Sequence, residues 1–137
     1  MKWILSLALI SLLPAFALAQ GSWRVVVNKK MILSSSVSDE QKNIRPVRDA
    51  DWKSKGVFEV SYLEKPASNW KHLLQFEDEN GTQIFTKDDV HVKVPISILS
   101  KLFKDKKQMK IYIVISPPDP RMEAPTRRIH LATLKLP

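Results

Sequence analysis

The 137-residue chain contains no cysteine. That removes disulfide frameworks, thiol nucleophiles, CxxC redox pairs and cysteine zinc sites. A small exported domain without disulfides must rely on packing alone, which favours a bacterial periplasmic or secreted protein over a eukaryotic extracellular one. Glycine is almost as scarce, with only Gly21, Gly56 and Gly81. Three isolated glycines cannot form a Gly-rich phosphate loop, and collagen-like and low-complexity classes fall away with them. Nothing repeats, so solenoids are excluded too. Motifs for nucleophilic or metal-dependent catalysis are missing: no serine sits in GxSxG, and no HExxH occurs.

What is present begins with a leader pattern. Lys2 supplies a positive start, Trp3 to Leu13 is almost purely apolar, Pro14 breaks the segment, and Ala17-Leu18-Ala19 precedes Gln20. This is the form of a signal peptide cleaved after residue 19. Its apolar core is shorter than the ~20 residues of a membrane span. Residues 1–19 are therefore expected to be removed, and 20–137 to be a single domain that is not transmembrane. The expected location is periplasmic or secreted.

The whole chain carries a net charge of +8, and the leader contributes only Lys2 to it. A basic exported domain points to anionic neighbours: an envelope protein, or an anionic glycan or lipid surface. Nucleic acid matches in sign, but export makes it a poor natural partner. The 44% hydrophobic content suffices for one core.

Period-two alternation dominates the remainder. Phe58, Val60 and Tyr62 share a face, as do Val90, Val92, Val94 and Ile96, and again Met109, Ile111, Ile113 and Ile115. Trp23 to Val27 and Met31 to Leu33 flank a turn, and Ile129 to Leu136 closes the chain. Asn80-Gly81 matches a glycosylation sequon, but it is better read as a hairpin turn that pairs Phe76 with Phe85. About seven to eight short strands separated by turn signals predict an all-β antiparallel sandwich. An immunoglobulin-like Greek key is the first choice and a small β-barrel the alternative. One short helical turn near residues 97–104 breaks the period, with Ser97 as its expected cap. The polar stretch 36–55 is too long to be structureless. Ile44 and Val47, flanking Pro46, are expected to pin it as an edge strand.

Three places carry candidate binding residues. Trp52 lies amid charges and could stack on a sugar face, or anchor its loop against the sheet. Lys101, Lys104, Lys106, Lys107 and Lys110 form a basic run. Glu77, Asp78, Glu79, Asp88 and Asp89 form an acidic one that reads as solvated charge. Pro117, Pro118 and Pro120 stiffen a loop that also holds Arg121 and Met122. The loop ends at Arg127 and Arg128, whose side chains must point to opposite faces. The inward arginine needs a carboxylate or carbonyl partner, and Glu123 or Asp119 could serve. His72, His91 and Asp89 could meet if the hairpin register extended, but no local motif supports a metal site. No catalytic residue, metal or cofactor is expected. The reading is an exported, non-catalytic binding or scaffolding module of a bacterial cell envelope. A secreted carbohydrate-binding or enzyme-accessory module using Trp52 is the alternative.

Overall fold

The computed structural model describes residues 21–137. The expected leader and its cleavage point lie outside the described residues. Nine strands and two short helices follow in the order β1 (Gly21–Val27), β2 (Lys30–Ser35), β3 (Ile44–Pro46), α1 (Asp49–Trp52), β4 (Val57–Glu64), β5 (Lys71–Glu77), β6 (Gln83–Lys87), β7 (His91–Pro95), α2 (Ile96–Leu102), β8 (Gln108–Ser116) and β9 (Arg127–Lys135). They form two sheets, ordered β2-β1-β4-β7 and β3-β9-β8-β5-β6. This is an all-β, sandwich-like fold rather than one closed barrel.

The alternation read from the sequence decides which faces meet. Trp23, Val25 and Val27 of β1, Phe58, Val60 and Tyr62 of β4, and Val92 and Val94 of β7 turn inward from the first sheet. Leu74 and Phe76 of β5 and Met109, Ile111, Ile113 and Ile115 of β8 turn inward from the second. The Phe58 and Phe76 rings meet edge to face across the sheets, 5.9 Å between centroids. Trp23 stacks near Tyr62 and donates its indole N–H to the Leu131 carbonyl of the opposite sheet at 2.9 Å. Gly21 is required beside this pair, because a Cβ there would fall 2.4 Å from the Tyr62 ring.

Several local features differ from the sequence reading. The ninth strand is β3, which runs parallel to β9, with Ile44 opposite Thr133. It lies where Ile44 and Val47 predict an edge strand, and Val47 is buried. Asn80-Gly81 is not a two-residue turn: Phe76 does pair with Phe85, but the register shifts at Glu77 and the loop closes through Asp78 N–H to the Thr82 carbonyl. Ser97 does not cap the helix, which starts one residue earlier, after Pro95, without a side-chain cap. Pro95 stands at the N-cap in extended backbone, φ −58° and ψ 134°, and has no side-chain oxygen with which to cap. α1 was not predicted, because four residues carry too little periodicity to register.

Adjacent residues of β4 test the inward face. Phe58→Ala should cost about 3–5 kcal/mol in denaturant unfolding, as a buried aromatic leaves a cavity. Val57→Ala, at a side chain 43% exposed, should stay within about 0.5 kcal/mol.

Candidate functional site

Both helices lie at one end of the sandwich, and between them is a recess of about 470 Å³. Trp52 ends α1 and forms one wall. Ser97 and Ser100 of α2 line another side, and the chain beyond α2 contributes Phe103, Lys104 and Lys106. Phe103 is buried and serves as floor. Trp52 is only half-buried and also packs against the core, so it is both loop anchor and wall. The structure thus brings together Trp52, Lys104 and Lys106, candidates far apart in the sequence. Lys107 is exposed and is not among the residues lining the recess.

The charges around the recess are largely balanced. Lys53 pairs with Asp49 at 3.1 Å and Lys106 with Asp78 at 2.9 Å. Lys104 has no ion pair among the described residues but sits next to Asp105, which adopts a left-handed φ of 65°. Three carboxylates thus stand beside three ammonium groups. The recess is polar and hydroxyl-lined rather than a strong anion trap.

The acidic run is solvated only in part: Asp88 and Asp89 are exposed, but Glu77 and Asp78 are buried. Asp78 is fully buried. Its Oδ1 accepts the backbone N–H groups of Asn80 and Thr82, both at 2.9 Å. Its other oxygen faces the Lys106 ammonium. Lys106 and these amides hold the Asp78 carboxyl below the usual carboxylate range, and Asp78 raises Lys106 in return. Glu79 accepts the Lys107 backbone N–H at 3.2 Å. Asp78 and Glu79 of the acidic run are therefore clamped to Lys106 and Lys107 of the basic one. Asp51 does similar work under α1: it accepts from Asn28 at 3.1 Å and pairs with Lys30 at 3.3 Å, which fixes the β1–β2 turn. Asn28 chiefly, and Lys30, lower its pKa. Neither buried aspartate stands out in sequence, although Asp78 two residues before Asn80 and four before Thr82 is the spacing of a carboxylate that organises its own turn.

The arginine loop lies at the other end, separated from the recess by the nine residues of β8, roughly 30 Å of strand. Arg121 pairs with Asp119 at 3.1 Å and is exposed. Arg127 stands opposite Ile115 on the inward register and reaches Glu64 at 3.9 Å. Arg128 faces outward, covers the Tyr112 ring at 3.6 Å and pairs with Glu77. The partners are thus Glu64 of the opposite sheet and Glu77 of the same sheet, not Glu123 or Asp119 of the loop itself.

The histidines are held apart. His72 pairs with Glu64 at the edge of the core, and His91 with Glu59 at 2.8 Å in the other sheet. The extended register that would join them fails because β6 ends at Lys87 and the chain crosses to the first sheet. His130 is buried, with Nε2 2.7 Å from the Thr133 hydroxyl, and burial lowers its pKa.

Two predictions follow from these pairs. Glu64 keeps His72 and Ser68 as partners when Arg127 is lost, whereas Glu77 loses its one side-chain partner with Arg128. Arg128→Ala should therefore cost ~1–3 kcal/mol, the penalty of a buried acceptor left unpaired. Arg127→Ala should cost about 0.5 kcal/mol. Equilibrium unfolding of the two variants decides the order.

The second concerns acid. A carboxylate with a lowered folded pKa adds stability that is complete above its unfolded pKa and is lost as pH falls below that value. Lys106 is raised, so its share persists until pH climbs past the ordinary lysine range. The melting temperature should be steady between these limits as far as this pair is concerned. It should fall below the carboxylate range, and Asp78→Asn should flatten that fall. Part of the fall will remain, carried by Asp51, Glu59, Glu79 and Asp119, which are lowered too.

No protein-family model matches the chain, and neither a curated protein nor a solved structure matches it.

Proposed function

We propose that the chain is an exported, non-catalytic β-sandwich that serves as a binding module in a bacterial cell envelope. The leader pattern supports export. The observation that carries the reading is the recess between α1 and α2, where Trp52, Lys104 and Lys106 converge. Buried carboxylates hold two of its walls: Asp51 ties α1 to the β1–β2 turn, and Asp78 holds the chain beyond α2 through Lys106. Preorganised walls lose little entropy on binding.

An immunoglobulin-like Greek key is part of this proposal. Support comes from β4 and β7 lying side by side in one sheet, β5, β8 and β9 in the other, and α2 joining β7 to β8 across the sandwich.

A saccharide ligand is the second reading, favoured by one specific feature. Trp52 offers part of an aromatic face beside the Ser97 and Ser100 hydroxyls, in a recess whose charges nearly cancel. Apolar sugar faces stack on such rings while hydroxyls find hydrogen-bond partners at the rim.

Both readings can be tested with one set of proteins. The purified chain should bind an envelope fraction, and a panel of envelope glycans shows whether the ligand is saccharide. Trp52→Ala should weaken binding by about tenfold or more, as losing a desolvated aromatic contact implies. Because Trp52 also anchors its loop, Lys104→Glu serves as the companion; its side chain is exposed, so stability should not change. Unaltered binding by both variants would remove the recess from the reading. Retention only by the saccharide panel, or only by envelope protein, chooses the ligand class.

A further inference from the structure

The flank between β2 and β3 holds a separate cavity of about 290 Å³. These two strands are free edges of opposite sheets, so here the interior of the sandwich approaches solvent. The floor is hydrocarbon: Val27 and Val47 are buried and Ile32 is half-buried against the core. The rim is cationic, made by Lys30, Arg45 and Arg48 around the single carboxylate of Asp51.

That carboxylate is already engaged by Lys30 and Asn28. Arg45 directs Nη1 to the carbonyls of Lys42 and Ile44, each at 2.8 Å. Its Nε–H and Nη2 protons have no hydrogen-bond partner among the described residues. Arg48 is exposed and makes no salt bridge among them. Two guanidinium groups thus stand over an apolar cleft with no salt bridge among the described residues, although Arg48 lies within the field of Asp51.

We propose that this flank binds a single-chain anionic amphiphile, a fatty-acid carboxylate, with its alkyl chain on the Val27–Ile32–Val47 floor and its headgroup at Arg45 and Arg48. A neutral apolar ligand would have no use for the arginines, and a small polar anion none for the floor. A planar guanidinium fork matches a carboxylate bidentately. The cavity volume lies near the lower end of small-molecule pockets, about 300 Å³, which suits one chain rather than the two of a phospholipid. The recess at the helical end has an aromatic floor in Phe103 but no arginine in its lining, and its charges are balanced.

Methyl NMR of the purified protein tests this with decanoate kept below its micelle concentration. Saturable shifts should appear at the methyls of Val27, Ile32 and Val47. Arg48→Glu, at an exposed side chain, should weaken them by about tenfold or more, the loss of a charge-assisted contact plus repulsion. Arg45→Gln should weaken them as well. Decyltrimethylammonium should produce little response at these methyls. An equal response to that cation would overturn the proposal. So would shifts centred on the exposed apolar residues Met31, Leu63, Ile98 and Leu102, which would indicate general detergent adsorption. Binding confined to anionic phospholipid vesicles, without decanoate shifts, would assign the flank to a membrane surface and overturn it equally.

Discussion

Two sheets with no disulfide between them are held together chiefly by the contact of their inner faces. Everything else depends on that contact. Phe58 against Phe76, and Trp23 joined to Leu131 by its indole N–H, are the cross-sheet contacts that set the spacing and the relative rotation. Small proteins that lack disulfides have no reserve if such packing fails. That is why the inward positions are so uniformly large and apolar, and why the one glycine in this layer, Gly21, occurs where the Tyr62 ring leaves no space for a Cβ.

Charge is used differently. The buried carboxylates lie at the ends of the sandwich, where strands give way to turns and backbone groups lose their ladder partners. Asp78 answers two free amides of its own loop and holds Lys106 of another. Asp51 joins α1 to the β1–β2 turn, whose residues Asn28 and Lys29 both take positive φ. Such groups convert loops into fixed walls. Two sides of the recess between the helices are secured in this way, α1 by Asp51 and the chain beyond α2 by Asp78.

Most of the fold was legible because a β-strand writes its two faces into the sequence as strict alternation. The stretches around Phe58, Val92 and Met109 were read correctly for that reason, and Pro46 flanked by apolar residues marked an edge. What could not be read depends on distance along the chain. The parallel pairing of β3 with β9 leaves no local pattern, and neither do the partners of Arg127 and Arg128. A charged run looks solvated until the structure shows a lysine from a different loop above it, as Lys106 sits above Asp78. The site was legible in parts: Trp52, Lys104 and Lys106 were identified one by one, and only the placement of α1 against α2 joins them. The arginines of the proline loop were sound choices as ion-pair formers, but they serve the far end of the molecule.

The position of β3 has a consequence for how the molecule comes into being. Ile44 finds its ladder only against Thr133, and Trp23 meets Leu131, 108 residues further on. Contacts so distant are made late, after large loops have closed. A ribosome delivers the first third of this chain long before the strand that completes it. Until β9 is released, β3 has no partner, β8 has an open edge, and the indole of Trp23 has no acceptor. The last strand acts as a keystone: the ladders of β2-β1-β4-β7 and of β8-β5-β6 can form without it, but β3 cannot join the second sheet until it arrives.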